Sequence, residues 1–365
     1  MAISLLFDKT PQIDPTLAVA SHFHDGKFHN TTPVRGMGLW EGLASMPKFF
    51  FGKSPQAEPD HPVDVLPLTE GELANAPDAS LWRLGHSTVL IKLEGKFWLT
   101  DPVFAERASP FSFIGPKRFS APVIALDQLP AIEAVILSHD HYDHLDKNTV
   151  MAIAHKVNHF VTPLGVGERL IGWGIDRHKV QQLDWWQAFE IGDVRLIATP
   201  SRHFSGRSLS DRDRTLWSSW VMVAPTYRIF FGGDSGYFDG FKQIGDRFGP
   251  FDVTLIENGA YDPAWADIHM QPEETVQAHL DLRGKWLVPI HNGTFDLAMH
   301  AWTEPMERIA TLAKQRHVEI STPRFGERLS ISEPMQGIAW WHDLPASETS
   351  QLSHNVTSKI VLKQG

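Results

Sequence analysis

The chain has 365 residues, 42% of them hydrophobic and 21% charged, which fits one large globular domain or two average ones and excludes a low-complexity or wholly disordered protein. It contains no Cys and 19 His, so disulfides, thiolate catalysis and cysteine-containing zinc sites are ruled out, and any metal must be held by imidazole and carboxylate. Lys and Arg number 33 against 43 Asp and Glu, a net charge of −10, the wrong sign for binding a nucleic-acid backbone, so no nucleic-acid partner is expected.

The N-terminal MAISLLFDKT holds a short apolar run before Asp8 without a preceding Lys or Arg, short of a signal peptide. No window of about 18 residues is free of charge and turn residues, so no membrane span is expected and a cytoplasmic location is. Residues 26–54 are basic and aromatic, with Lys27, Arg35, Lys48 and Lys53 against Glu41 alone. If this stretch is helical, Trp40, Leu43, Met46 and Phe50 share a face, the profile of a segment making peripheral contact with a membrane surface. The competing reading packs the same aromatics onto the core. Residues 55–80 reverse the charge, with six acidic residues, no Lys or Arg, and five Pro, and read as an extended connector. The expected organisation is an arm and connector over 1–80, a catalytic domain over 81–344 and a tail over 345–365.

From Leu81 onward short apolar runs alternate with turn signals. LWRLG, TVLIKL, KFWLT, AVILS, RLIAT, WSSWVMV, RIFF, VTLIEN and KWLVPI predict strands by their length and their β-branched and aromatic content. Helices are predicted over 147–155, 238–248, 272–283 and 304–315, with Pro272 followed by Glu273 and Glu274 marking one start. Strands mixed with helices imply a layered α/β architecture. No internal repeat is present.

One segment dominates the chemistry. Ser138, His139, Asp140, His141, Tyr142, Asp143 and His144 directly follow the strand AVIL and directly precede a helix. In an extended chain His139 and His141 project to one side, and a turn into the helix brings Asp143 and His144 round to the same point. A polar surface turn is the bland alternative, but such a turn has no reason to follow a buried strand with three imidazoles and two carboxylates. Further candidates sit past later strand ends: His203 after RLIATPSR, Asp234 after RIFF and two glycines, and His291 after KWLVPI. Loops at strand ends carry function on α/β scaffolds, and Gly232 and Gly233 permit a tight turn there. Any one of the three alone would be an ordinary turn residue, so the recurrence carries the reading.

The H-x-H-x-D-H pattern with a later His, Asp and His resembles the metallo-β-lactamase fold, a four-layer αββα sandwich. The segments LGHSTVLIKLEGKFWLTDPVFAERASP, GPKRFS, ILSHDHYDHLD, LDWW, ATPSRHFSGR, GDSGYF, RFGPFD, GAYDP, the H-x-x-P-E-E-x-V from His269 and HNGTF resemble the N-acylphosphatidylethanolamine-hydrolysing phospholipase D branch and its bacterial relatives. The likeness covers 81–304. It implies that His139, His141 and His203 bind one divalent metal and Asp143, His144 and His291 a second, with Asp234 bridging and Asp143 and Asp234 serving catalysis. All-N/O ligation suits Zn²⁺ and is compatible with Fe or Mn. A water between the metals, its pKa lowered to about 7, would be the hydroxide nucleophile of a phosphodiesterase of the phospholipase D type. A lactonase or other esterase is the enzyme alternative, and a metal-binding regulatory protein without turnover is the alternative from another class. The expected partner is a phospholipid or other phosphodiester substrate, and a homo-oligomer is compatible with the likeness. The chain departs from the family where Asn292 replaces a Trp after the last His and Arg202 replaces a Gln before His203.

Asp101, in LTDP, is expected to hold the outer nitrogen of a ligating His, the competing role being a turn cap before Pro102. Tyr142, inside the ligand loop, and His269, just before a helix N-terminus that favours anions, are expected to grip substrate. His86, in LGHST, reads either as supporting a metal ligand from behind or as satisfying a buried polar contact, the latter being the preferred reading. His155, His159, His178, His279, His300 and His317 read as surface or packing residues, residues 211–214 as a solvated loop, and Trp185 and Trp186 as core.

Overall fold

The computed structural model describes residues 22–34, 52–208 and 210–342. The expected interfacial face of Trp40, Leu43, Met46 and Phe50 and the expected tail from 345 lie outside these residues. The described chain begins with a hairpin of β1 (Phe23–His24) and β2 (Lys27–Phe28). A short helix, α1 (Glu70–Asn75), follows inside the stretch expected to be extended. Thr69 and Glu72 cap it reciprocally, the Glu72 carboxylate accepting the Thr69 N–H at 2.8 Å and Thr69 Oγ1 accepting the Glu72 N–H at 3.2 Å, and Leu73 is buried beneath it. The T-x-x-E spacing was the signal for this start.

Two seven-stranded sheets form the body. The first comprises β3 (Ser80–Gly85), β4 (Thr88–Leu93), β5 (Lys96–Thr100), β6 (Ile132–Ile136), β7 (Val157–Pro163) and β8 (Val180–Leu183) in sequential order. The second runs through β9 (Ala188–Ile191), β10 (Val194–Thr199), β11 (Ser219–Val223), β12 (Arg228–Phe231), β13 (Phe251–Glu257), β14 (Gly284–Ile290) and β15 (Glu319–Ile320). The chain then returns to add β16 (Arg328–Ser330) beside β3. In both sheets the earlier strands pair antiparallel and the later ones parallel.

Alternating side chains explain the layers. Ile229 and Phe231 of β12 pack between the sheets with Leu81, Ile91, Trp98 and Trp220, whereas Phe230 packs outward with Phe241, Ile244 and Phe251. A strand covered on both faces reads as a continuous apolar run, which is why RIFF and AVIL show no alternation. The outer face of the first sheet is covered by α2 (Lys147–Ile153) and α3 (Val166–Trp173), through Val150, Ile153, Val166 and Leu170. The outer face of the second is covered by α4 (Gly240–Phe248), α5 (Pro272–Asp281) and α6 (Glu304–Arg316). The result is the αββα sandwich. The four predicted helices are present, and α1, α3, β1, β2, β7, β8, β9, β15 and β16 are additions to the predicted set. No helix among the described residues is long and apolar enough to cross a membrane.

Candidate metal centre

Seven strand ends deliver side chains to one edge of the sandwich: His86 after β3, Asp101 after β5, His139 to His144 after β6, His203 after β10, Asp234 after β12, Glu257 closing β13 and His291 after β14. Among the described residues three overlapping ligand-type groups result, two built on the predicted ligands and a third of Asp234, Glu257, His269 and His291. In one of the first two, His141 Nδ1 lies 2.8 Å from His139 Nε2 and 3.3 Å from His203 Nε2. In the other, His144 Nε2 and His291 Nε2 are 3.1 Å apart, with Asp143 Oδ2 at 3.5 and 3.4 Å from them. Asp234 Oδ2 joins the two, at 3.1 Å from both His144 and His291 and 3.8 Å from both His139 and His203.

The proton inventory shows what this cluster fits. His203 Nδ1 donates to the Ile268 carbonyl at 3.0 Å, His144 Nδ1 to Asp101 Oδ2 at 2.6 Å and His139 Nδ1 to Ser138 Oγ at 2.9 Å. Each neutral ring therefore presents a lone pair, not an N–H, to the centre. Asp234 Oδ1 and His141 Nε2 are buried without a hydrogen-bond partner. Burial, reinforced by neighbouring rings, holds His139 well below the ordinary histidine range, and burial does the same to His203 against the pull of Asp234. Burial also lowers His144 and His291, but there Asp234 and Asp143 outweigh it and push His291 up to about 10. Positive charge is thus favoured between the carboxylates, and a divalent cation replaces the proton when it takes the same lone pairs. The donor set fits divalent metal ions.

The backbone is bent to make this edge. Asp101, His86 and His291 take left-handed φ values of 32°, 51° and 64°, a cost that non-glycine residues carry where the surroundings over-determine them. Gly233 has φ 56°, and a Cβ on it would sit 2.5 Å from Ser138 Cβ, so the loop carrying Asp234 can pass the ligand loop only with glycine there.

Behind the ligands lies a second tier of buried charge. Asp140 Oδ2 accepts from Arg169 Nε at 2.7 Å and from Thr215 Oγ1 at 2.9 Å, while Asp140 Oδ1 accepts the Gly206 N–H at 2.8 Å. Arg169 Nη2 reaches Asp211 Oδ2 at 2.7 Å, and Asp211 is fully buried. The solvated loop expected over 211–214 is thereby corrected at Asp211, because a carboxylate that can pair with Arg169 goes inside. Tyr142 lies on the ligand loop with its hydroxyl donated to the Arg207 carbonyl at 3.0 Å and its ring under the Arg207 guanidinium at 3.9 Å. Both departures from the family pattern have local partners. Asn292 Oδ1 accepts from the buried Arg83 at 2.8 Å, and Arg202 pairs with Asp267 at 2.9 Å and donates to the Pro33 carbonyl at 2.7 Å.

Residues 98–292 match the family model of the beta-lactamase superfamily domain. The chain belongs to this superfamily, in its metallo-β-lactamase fold. This metal-dependent hydrolase is 42% identical over 336 residues to an uncharacterised protein of Mycobacterium tuberculosis, covering 88% of this chain and 87% of that one. It is 38% identical over 247 residues to the N-acyl-phosphatidylethanolamine-hydrolyzing phospholipase D 1 of Caenorhabditis elegans, covering 64% of this chain and 69% of the relative, and is related to that branch. Among solved structures, a metallo hydrolase from the archaeon Ignicoccus hospitalis superposes with a TM-score of 0.54 at 17% identity, over 68% of this chain and 97% of that one, a likeness of fold.

Three residues of the hydrolase's site were not assigned to it by sequence. His86 is buried, with Nε2 3.0 Å from Asp143 Oδ2, so the contact it satisfies is with the ligand group itself. Glu257 sits 2.6 Å from His269 Nδ1. Asn30, from the N-terminal arm, donates to the His203 carbonyl at 2.7 Å and accepts the His203 N–H at 3.1 Å. The G-H-S-T segment was a visible signal for His86; nothing local in the sequence marked Asn30 or Glu257.

Proposed function

We propose that this hydrolase is a dinuclear phosphodiesterase of the phospholipase D type, acting on N-acylphosphatidylethanolamine-like phosphodiesters. In this reading His139, His141 and His203 hold one metal, Asp143, His144 and His291 the other, and Asp234 serves both. The observation that carries it is Asp234 Oδ2, a single carboxylate oxygen within 3.8 Å of the four inward imidazole nitrogens His139 Nε2, His203 Nε2, His144 Nε2 and His291 Nε2. An anionic oxygen between two cations offsets their mutual repulsion. Zinc suits the all-N/O set. When bound, such metals supply Lewis acidity to a phosphoryl oxygen and lower the pKa of water.

The chain's own residues orient and shield the site. Asp101 fixes the His144 tautomer, the Ile268 carbonyl fixes His203, and the Asp140–Arg169–Asp211 network holds the ligand loop against the loop that follows β10. Tyr142 and His269 form part of the rim and contact substrate. The choice of a lipid phosphodiester is supported by the nematode relative's name and identity, and the proposal includes peripheral lipid contact through 26–54, of which 35–51 lie outside the described residues.

The test is hydrolysis by zinc-reconstituted protein of N-acylphosphatidylethanolamine in mixed micelles beside an acyl lactone. Release of N-acylethanolamine and phosphatidate, lost on chelation, is the expected result. Lactone opening without phosphodiester turnover would make it a lactonase, and full metal occupancy without either activity would make it a binding protein.

A further inference from the structure

A cavity of about 230 Å³ lies between the connector and the last described residues, and none of the metal-ligand candidates lines it. That is about fifteen times the space one water needs, so it has room for an organic molecule. Its aromatic wall is Trp302, Trp340 and Trp341. Trp340 and Trp341 meet at 83° with ring centroids 5.8 Å apart, and Trp302 stands 6.5 Å from Trp340 at 40°. The wall is held in place. Trp340 Nε1 donates to the Thr322 carbonyl at 3.1 Å, and the Trp302 backbone N–H donates to the Gln56 carbonyl at 2.9 Å.

The polar groups of the cavity select the occupant. Asp60 and Asp64 line it as exposed residues, and neither carboxylate has a hydrogen-bond or ion-pair partner among the described residues. Arg324 is the one Lys or Arg on the lining, so the lining carries more acid than base. Indole faces attract cations more strongly than other rings do. Among the described residues no Lys or Arg stands over any of these three indoles, although such contacts form at Phe325 and Trp173. Trp341, 7% exposed, keeps its Nε1–H buried without an acceptor, which an oxygen on a bound molecule would satisfy. A primary ammonium would bring three N–H donors to a mostly apolar wall, whereas a quaternary ammonium brings charge and methyl groups with no N–H to satisfy.

We propose that this cavity binds a small quaternary ammonium compound of the choline type. Its methyl groups lie among Trp302, Trp340 and Trp341, Asp60 and Asp64 balance its charge, and its oxygen accepts from Trp341 Nε1. The site is independent of the phosphodiesterase reading, because it shares no residue with the metal centre.

Titration of the metal-loaded full-length protein with choline, followed by tryptophan fluorescence and by calorimetry, tests it. Saturable one-to-one binding is expected, and the neutral alcohol in which a carbon replaces the ammonium nitrogen should bind about tenfold more weakly or worse. Trp302→Ala should weaken choline binding by about tenfold, and Trp302→Phe by less because a ring face remains. Asp60→Asn combined with Asp64→Asn, at exposed positions, should weaken it several-fold, and this variant carries the test if Trp302→Ala does not fold. Competition by micelles of short-chain phosphatidylcholine would identify a lipid headgroup as the source of the cation, and failure to compete would identify a free one. Absence of saturable choline binding, equal binding of the neutral alcohol, or unchanged affinity in the double Asn variant would overturn the proposal.

Discussion

A carboxylate decides the tautomer of the imidazole it faces, and Asp101 is the clearest case. It is fully buried, accepts the Ser138 N–H at 2.7 Å through Oδ1, and meets His144 Nδ1 at 2.6 Å through Oδ2. Burial raises its pKa, and the His144 and Ser138 contacts act to lower it. In Asp101→Asn an amide NH₂ would face His144 Nδ1, and the ring could accept that bond only by moving its own proton to Nε2, the nitrogen that points at the metals. The variant should keep its fold by circular dichroism and bind metal roughly 10- to 100-fold more weakly, the usual cost of losing such a partner. Parental affinity in a chelator competition would reduce Asp101 to the turn cap before Pro102.

At the scale of elements, the arm has a role beyond wrapping. Phe28 of β2 is buried with Leu164, Trp185, Leu216 and Trp217, and two residues further on Asn30 clamps the backbone of His203 and accepts from Trp217 Nε1 at 3.0 Å. Residues 28–30 thus pack on the core, while Trp40, Leu43, Met46 and Phe50, on which the lipid and packing readings differ, lie outside the described residues. Each net hydrogen bond contributes about 0.5–1.5 kcal/mol, so Asn30→Ala should lower stability by roughly 2 kcal/mol. It should also release metal to a mild chelator earlier than the parent does, because the His203 backbone loses its clamp. An unchanged melting temperature together with unchanged metal release would show that the arm packs without supporting the site.

For the whole molecule, metal and protons act on the same fold. A ligand that binds only the native state stabilises it by mass action, and here the ligand atoms come from strand ends of both sheets. Purified protein should carry close to two metal ions per chain. Chelation should lower the melting temperature and zinc should restore it; a melting temperature indifferent to chelator would remove the proposed centre. Acid sensitivity has a separate source in His279 of α5, whose Nδ1 accepts from Thr254 Oγ1 at 2.7 Å and whose pKa burial lowers to about 4. The unfolded chain takes this proton near 6.5 and the folded one only near 4. Between those values the unfolded state binds more protons, and stability falls as pH falls, by roughly 3 kcal/mol across the window. His279→Gln should narrow the difference in urea midpoint between pH 7 and pH 4.5 relative to the parent, metal release being common to both. An identical pH dependence would show that His279 does not contribute.

Features set by near neighbours along the chain were readable before folding was known. His139, His141, Asp143 and His144 were legible because one turn after one buried strand holds them all, and His203, Asp234 and His291 because each follows an apolar run long enough to be a strand. The strong strands and the four capped or amphipathic helices were legible for the same reason. β7, as VNHFVTP, and α3, as VGERLIGW with two glycines, carry weak intrinsic preferences and owe their form to packing on the first sheet. Which charged residues go inside depended on contacts between distant parts of the chain. Asp211 is buried because Arg169 lies 42 positions away in the chain and 2.7 Å away in space, and Asn30 meets His203 across 173 positions. A residue's pattern of neighbours along the chain shows which face it takes, while the free energy of burying a polar group depends on the partner that meets it there, and that partner is chosen by the fold.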